Sequence, residues 1–380
     1  MKKVAIVGGG PSGILCAIIA SKKYDVTIFC NQEKLGKKIL VTGNGKCNFT
    51  NLYNFDKAYN RDISNYLKSF DNIKTIKFFE EIGLLTYADE DGRIYPISNT
   101  ANSVLDVLIN QVCKNNINVM TNQTVLNVLK KNDGFVIQTQ LQEYNFDKVV
   151  IAVGSQDSLL KQMGISYNSF SPSLVALKTK EDTFSLSGMR LSNVKAILKG
   201  EANHEEYGEV LFKENGLSGI CIFNLSAYLA RQKNYNSIIC LDLLPNLSND
   251  KLKEIFIKRL NKNYTNSKEF MQGLFSEKIN SYILKNCAIK NNEKITKKDI
   301  EKIINTIKNL TFNIVGHYQN NQVNSGGVDL NNLTNTLEYK YVKNLYFIGE
   351  VVDVDGICGG YNLQWSWTSA VIAGEALWLK

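Results

Sequence analysis

Val4-Ala5-Ile6-Val7-Gly8-Gly9-Gly10-Pro11-Ser12-Gly13 is the stretch that decides the fold. Four apolar residues in succession read as a strand buried on both faces, and the glycine turn after it opens a helix of small residues from Ile14 to Ser21. In this turn Gly8 permits the tight bend, Gly10 lets backbone N–H groups approach a pyrophosphate, and Gly13 lets the helix pack on the strand. Val26-Thr27-Ile28-Phe29 is the next parallel strand, completing a strand–turn–helix–strand unit. A glycine triplet alone also suits a purely structural turn. Its place between a strand and a helix favours dinucleotide binding.

One expected piece is missing. The second strand should end in an acid that binds ribose hydroxyls, yet Cys30 stands there, followed by Asn31, with Glu33 the nearest carboxylate. Neutral Asn31 can still accept from and donate to a diol.

Farther along, residues 62–82 and Ser103 to Val112 carry helical apolar spacing. Ile117–Met120, Val125–Leu129 and Phe135–Gln140 read as short alternating strands of an antiparallel meander, with Asn132-Asp133-Gly134 as a hairpin turn. Val149 to Val153, ending in Gly154, reads as a return to the central sheet. From Pro172 to Pro245 the pattern is strand-like, and from Ser248 to Leu310 it is helical, with Thr296 and Asp299 as a helix start signal. Residues 311–323 read as strand; a strand over Leu345–Gly349 and a final helix from Tyr361 follow. The expected fold is α/β, a Rossmann-like domain with an inserted β-barrel-like domain and a small helical domain.

A chain of 380 residues suggests two or three such bodies. Its 44% hydrophobic and 21% charged residues exclude a disordered or fibrous protein. No apolar run reaches the roughly 18 to 20 residues of a membrane helix. Met1-Lys2-Lys3 imitates the start of a leader, but Gly8-Gly9-Gly10-Pro11 interrupts the apolar stretch after it. The eight cysteines form no CxxC, which fits a reducing cytoplasm better than a disulfide framework or a zinc site. With only His204 and His317, no metal site is expected. The net charge of +8 is concentrated between Asp250 and Leu310, where fourteen Lys/Arg face seven Asp/Glu. A solvated helical face explains this surplus, and so does a patch for RNA or another polyanion.

Two further blocks carry chemistry. In Gly36-Lys37-Lys38-Ile39-Leu40-Val41-Thr42-Gly43-Asn44-Gly45-Lys46-Cys47-Asn48-Phe49-Thr50-Asn51, glycines flanking Asn44 let the backbone run close to a planar ring, and Thr42 and Asn48 offer donors. In Gly349-Glu350-Val351-Val352-Asp353-Val354-Asp355-Gly356-Ile357-Cys358-Gly359-Gly360-Tyr361-Asn362-Leu363-Gln364 a strand ends at Gly349 and a glycine pair opens a helix. Taken singly, the first also reads as an exposed loop and the second as a structural turn.

Together with the N-terminal turn, these blocks resemble the BaiN/YhiN-like family of FAD-dependent oxidoreductases. The likeness extends through Gly92-Arg93-Ile94-Tyr95-Pro96, Gly208 to Phe212, Gly216 to Gly219, and Gly326-Gly327-Val328. It implies an FAD domain from residues 1–170 plus 325–380, a β-barrel-like insert from 171–247 plus 311–324, and a helical domain from 248–310. It also implies NAD(P)H as a transient electron donor and reduction of an activated carbon–carbon double bond in a small or steroid-like molecule. The cofactor-binding residues would be Gly8, Gly10, Pro11, Ser12, Gly13, Asn31, Lys38, Thr42, Gly43, Asn44, Gly45, Cys47, Asn48, Val125, Ala152, Gly154, Gly349, Glu350, Gly359, Gly360, Asn362 and Leu363. Glu350 would reach ribityl hydroxyls, and the helix after Gly360 would turn its positive end to the N1–C2=O edge of the flavin. Tyr361 is the candidate proton donor, with packing against the ring as its other role. Cys47 and Cys358 read as packing residues or as a redox dithiol. Departures from the family pattern are Cys30, Lys46 for an arginine, and a short segment after Gly154. An RNA-modifying flavoprotein and a flavin-binding protein without turnover are the other readings.

Overall fold

The computed structural model describes residues 2–378 apart from positions 54, 202 and 263. The chain forms two compact units, one from residues 1–171 with 323–380 and the other from residues 172–322.

The first unit is built on a five-stranded parallel sheet in the order Leu345–Phe347, Lys148–Ile151, Lys3–Val7, Asp25–Phe29, Asn118–Met120. Its three central strands are apolar and buried on both faces, as helices on either side require. Crossing from Lys3–Val7 to Asp25–Phe29 uses the helix Pro11–Ala20, which starts on a proline and buries nine of its ten residues. That helix packs against the closing helix Tyr361–Ala376, where Gly374 admits Ile19: a Cβ there would come 2.9 Å from Ile19 Cβ.

Two expectations are corrected here. Asn118–Met120 is not a meander strand but the parallel edge of the central sheet, and Glu143–Phe146 supplies the third strand beside Val125–Lys131 and Gly134–Thr139. Alternation of side chains looks the same in either setting, so the pattern was blind to the partner. Residues 62–82 divide into Ser64–Leu67 and Asn72–Glu81, the second capped by Asp71.

The second unit is a closed six-stranded antiparallel barrel in the order Leu177–Thr179, Gly216–Ser218, His204–Lys213, Arg190–Lys199, Asn236–Asp242, Leu310–His317. Asn249–Leu260, Ser267–Met271, Glu277–Asn286 and Lys297–Lys308 are helical, and the Thr296/Asp299 capping box is present. Ile300, Ile303, Ile304, Ile307 and Phe256 share one apolar core with Phe312, Ile314 and Leu241 of the barrel. Within the stretch read as strand lies a helix, Ile220–Gln232. It buries Cys221, Ile222, Asn224 and Leu225, and its less-buried side carries the apolar Ile220, Phe223 and Tyr228, which blurs the stripe a surface helix would show.

Candidate functional site

The opening turn is shaped by close approach. A Cβ on Gly8, whose φ is +122°, would lie 2.2 Å from the Ala152 carbonyl oxygen, and one on Gly13 would lie 2.0 Å from the Gly8 oxygen. Gly10 differs: nothing stands within 4 Å of the place its Cβ would take. It is the N-cap of the helix, and no side chain caps that end. The first-turn N–H groups therefore border open space, where a diphosphate would be held by hydrogen bonds and the helix dipole.

Cys30 is 4% exposed and packs under the turn, because a Cβ on Gly9 would come 2.7 Å from its sulfur. It offers nothing to a ribose, whereas Asn31 is exposed. The Gln123 N–H donates to the Cys30 carbonyl (2.9 Å), which brings the start of Val125–Lys131 to the same corner as Asn31.

Glu350 is the meeting point of three distant segments. Lys38 Nζ lies 2.5 Å from its Oε2, the Asn324 N–H donates to its Oε1 (3.0 Å), and a Cβ on Gly154 would fall 3.3 Å from Oε2. Gly349, at φ +70°, faces Ser12 of the opening helix, whose Oγ would be 2.4 Å from an added Cβ. Lys38, Ser12, Gly154, Gly349 and Glu350 are thus assembled from both ends of the chain. Glu350 is already ion-paired to Lys38, a partner that sequence reading did not assign to it.

The loop from Thr42 to Asn48 owes its path to left-handed backbone. Gly43 and Asn44 both have φ of 54°, and Gly45 and Cys47 have φ of 81° and 59°. The Cys47 N–H donates to Thr42 O (3.0 Å), and Thr42 Oγ1 donates to Ile39 O (2.7 Å). Cys47 itself is fully buried, and burial pushes its thiol up to about 12. Such a thiol packs rather than reacts at neutral pH. Asn48 Oδ1 is buried and accepts no hydrogen bond among the described residues.

This loop is stitched to the closing helix. The Asn51 amide donates to Gly359 O (3.0 Å), and Thr50 Oγ1 donates to Gln364 Oε1 (2.6 Å). Gln364 Nε2 donates in turn to Phe70 O (3.0 Å), and the Trp367 indole to Phe49 O (3.0 Å). Gly360, at φ +94°, lets the helix start touch the loop: a Cβ would be 2.6 Å from Thr50 O and 2.7 Å from Asn48 Oδ1. Asn362 folds back to hold both the N–H and the carbonyl of Gly356 (2.9 and 2.8 Å), and Leu363 is buried. Tyr361 is 3% exposed, and its hydroxyl donates to Tyr53 O (2.7 Å). Burial pushes that phenol up to about 12, the opposite of what a ready proton donor needs.

Sequence reading missed the clamp behind this turn. Arg61 Nη2 pairs with Asp353 Oδ2 at 2.7 Å and Nη1 with Asp329 Oδ1 at 3.2 Å, while Asn168 Nδ2 donates to Asp353 Oδ2 (2.8 Å). No local pattern marks Arg61; only the acidic Asp353 was in a quoted block.

Fold and turn geometry define a Rossmann-type α/β protein with a barrel insert. A family model described as "HI0933-like protein Rossmann domain" matches residues 2–376, and the chain belongs to that family, in keeping with its likeness to the BaiN/YhiN-like flavoprotein oxidoreductases. It is 33% identical to the 3-dehydro-bile acid delta(4,6)-reductase of Clostridium scindens, over 99% of both chains. It is 28% identical to the ribosomal RNA dihydrouridine synthase of Escherichia coli, over 98% of this chain and 97% of that one. Among solved structures, 3-ketosteroid delta1-dehydrogenase from Sterolibacterium denitrificans aligns with a TM-score of 0.50 at 9% identity, covering 99% of each chain, a likeness of fold alone. No helix among the described residues is long and apolar enough to cross a membrane.

Proposed function

We propose that this chain is an FAD-dependent oxidoreductase, driven by NAD(P)H, that reduces a carbon–carbon double bond conjugated to a carbonyl. The observation that carries the reading is the convergence of three glycine-shaped blocks from opposite ends of the chain. The open space at Gly10 suits a diphosphate, and the unsatisfied Asn48 Oδ1 suits a ring N–H. When bound, FAD would supply the hydride chemistry.

The protein's own contribution is orientation and charge. Gly10, Ser12 and Gly13 would hold the diphosphate by backbone N–H groups at the opening helix. Asn31 and Val125 would border the adenosine, and Ala152, Gly154, Glu350 and Lys38 the middle of the cofactor. Thr42 to Asn48 and Gly359 to Leu363 would flank the ring. The closing helix has no side-chain cap at Gly360, so its positive end is free to stabilise negative charge on a ring. The two relatives named above bear names that denote saturating a double bond next to a carbonyl, one in a steroid and one in a pyrimidine, which supports the reaction class.

A second reading, folded RNA as the substrate, has its own observation. Lys278, Lys285, Lys290, Lys294, Lys297 and Lys298 are exposed and form no ion pair among the described residues. Lys297 and Lys298 occupy the first turn of a helix, where the macrodipole opposes cations and a polyanion would relieve them. The free cysteines suit a cytoplasmic setting for either reading.

One experiment tests the proposal: anaerobic titration of the purified protein with NADH and NADPH at 450 nm, followed by reoxidation with enones and with uridine-containing RNA. Colourless protein that refuses FAD while folded would end the flavin reading. Yellow protein that neither nucleotide bleaches would end the NAD(P)H part.

A further inference from the structure

The small sheet beside the ring loop carries a feature that the proposed reading leaves unused. Thr50–Asn51, Arg93–Pro96 and Thr86–Ala88 form three antiparallel strands. The register pairs Asn51 with Arg93 and Tyr95 with Tyr87, so alternation puts these four side chains on one face, while Thr50 and Ile94 point into the core. On that face the Asn51 amide holds Gly359 O, and the Tyr95 ring lies 3.6 Å from the Cβ position of Gly43. The face therefore borders both glycine turns expected to flank the cofactor ring.

Its surface is aromatic. Tyr87 and Tyr95 stack with centroids 5.8 Å apart and planes 27° from parallel. The Tyr87 hydroxyl donates to Asn99 Oδ1 (2.6 Å), which fixes its ring, whereas the Tyr95 hydroxyl makes no hydrogen bond among the described residues. Tyr53 stands on Gly92, where a Cβ would collide with its ring at 2.4 Å, and is 54% exposed. Tyr87 is 36% exposed. Arg93 pairs with Asp89 at 2.7 Å and with Asp91 at 2.6 Å, so this rim keeps one carboxylate in excess and offers no unpaired guanidinium to an anionic ligand. Three neighbouring tyrosines that are at least partly exposed make an aromatic surface of the kind a flat ring covers.

We propose that Tyr53, Tyr87 and Tyr95 form the wall against which a planar, uncharged, conjugated carbonyl ring of the substrate lies, with Tyr95 and Tyr87 setting the specificity. The inference rests on the flavin reading, because that reading makes Gly43 and Gly359 neighbours of the reacting ring. Stacking on an aromatic wall suits both an unsaturated keto-steroid ring and a pyrimidine base, which share this chemistry.

The test uses flavin-loaded full-length protein and two probes, progesterone and a short uridine-containing RNA hairpin, with Kd read from perturbation of flavin absorbance. Tyr95→Leu and Tyr87→Leu are each expected to raise Kd by roughly five-fold or more while flavin content holds, and Tyr95→Phe, which keeps the ring and breaks no internal bond, to restore binding. A response in the progesterone arm alone identifies a small-molecule ring, and one in the RNA arm alone identifies a base; either supports the wall. Yellow protein that binds neither probe, or whose Kd ignores Tyr95→Leu, overturns the wall and leaves the flavin reading standing. Loss of flavin from Tyr95→Leu would make Tyr95 part of the cofactor cradle and overturn its substrate role. Colourless wild-type protein would overturn both.

Discussion

Gly360→Ala would strike the contact that joins the two ends of the chain. The residue sits at φ +94°, where an L side chain costs about 1–2 kcal/mol. The new methyl would also lie 2.6 Å from Thr50 O and 2.7 Å from Asn48 Oδ1, well inside contact distance. The Thr50 carbonyl belongs to a backbone pinned by the Thr50–Gln364 hydrogen bond, so it does not swing aside freely. Displacing it resembles overpacking a core, at roughly 1–3 kcal/mol, for a total of about 2–5 kcal/mol. Urea unfolding followed by tryptophan fluorescence isolates the effect, since Trp365, Trp367 and Trp378 are the only tryptophans and all belong to the first unit. Flavin content should fall in parallel. A change below about 0.5 kcal/mol with unaltered flavin content would refute both the tight junction and its part in holding a ring.

Gly10→Ala should behave in the opposite way. Open space lies around the added methyl, so stability stays within about 0.5 kcal/mol, yet FAD affinity drops roughly ten- to a hundred-fold because the methyl stands between the helix N–H groups and the diphosphate; equilibrium dialysis checks the second part. Cys47, with its thiol pushed up to about 12, should resist iodoacetamide at pH 8 in folded protein while exposed Cys113 reacts, as read by peptide mass spectrometry. Tyr361 has a folded value raised from 10.0 to about 12, so its burial stabilises fully below pH 10, and that contribution is lost as pH rises toward 12. Tyr361→Phe should flatten the fall in urea midpoint over that window, while costing a little at pH 7 through the orphaned Tyr53 carbonyl.

Sequence by itself determined the opening strand–turn–helix, the parallel pairing of Asp25–Phe29 and the closing helix from Tyr361, because apolar runs and glycine turns act over a few residues. It also marked the three glycine blocks that the fold brings together, since their unusual backbone demands glycine. Tertiary structure decided the rest. It moved Asn118–Met120 from the meander to the sheet edge, a choice that depends on which strand lies alongside. It made Ile220–Gln232 a helix, because the less-buried side carries Ile220, Phe223 and Tyr228, apolar residues that blur the polar half of the period. It coupled Lys38 to Glu350 and Thr50 to Gln364, more than 300 positions apart in the chain, and buried Tyr361 against Tyr53. Long-range pairs form only where folding brings side chains to the same point, and nothing in the local residue order of either partner encodes the other.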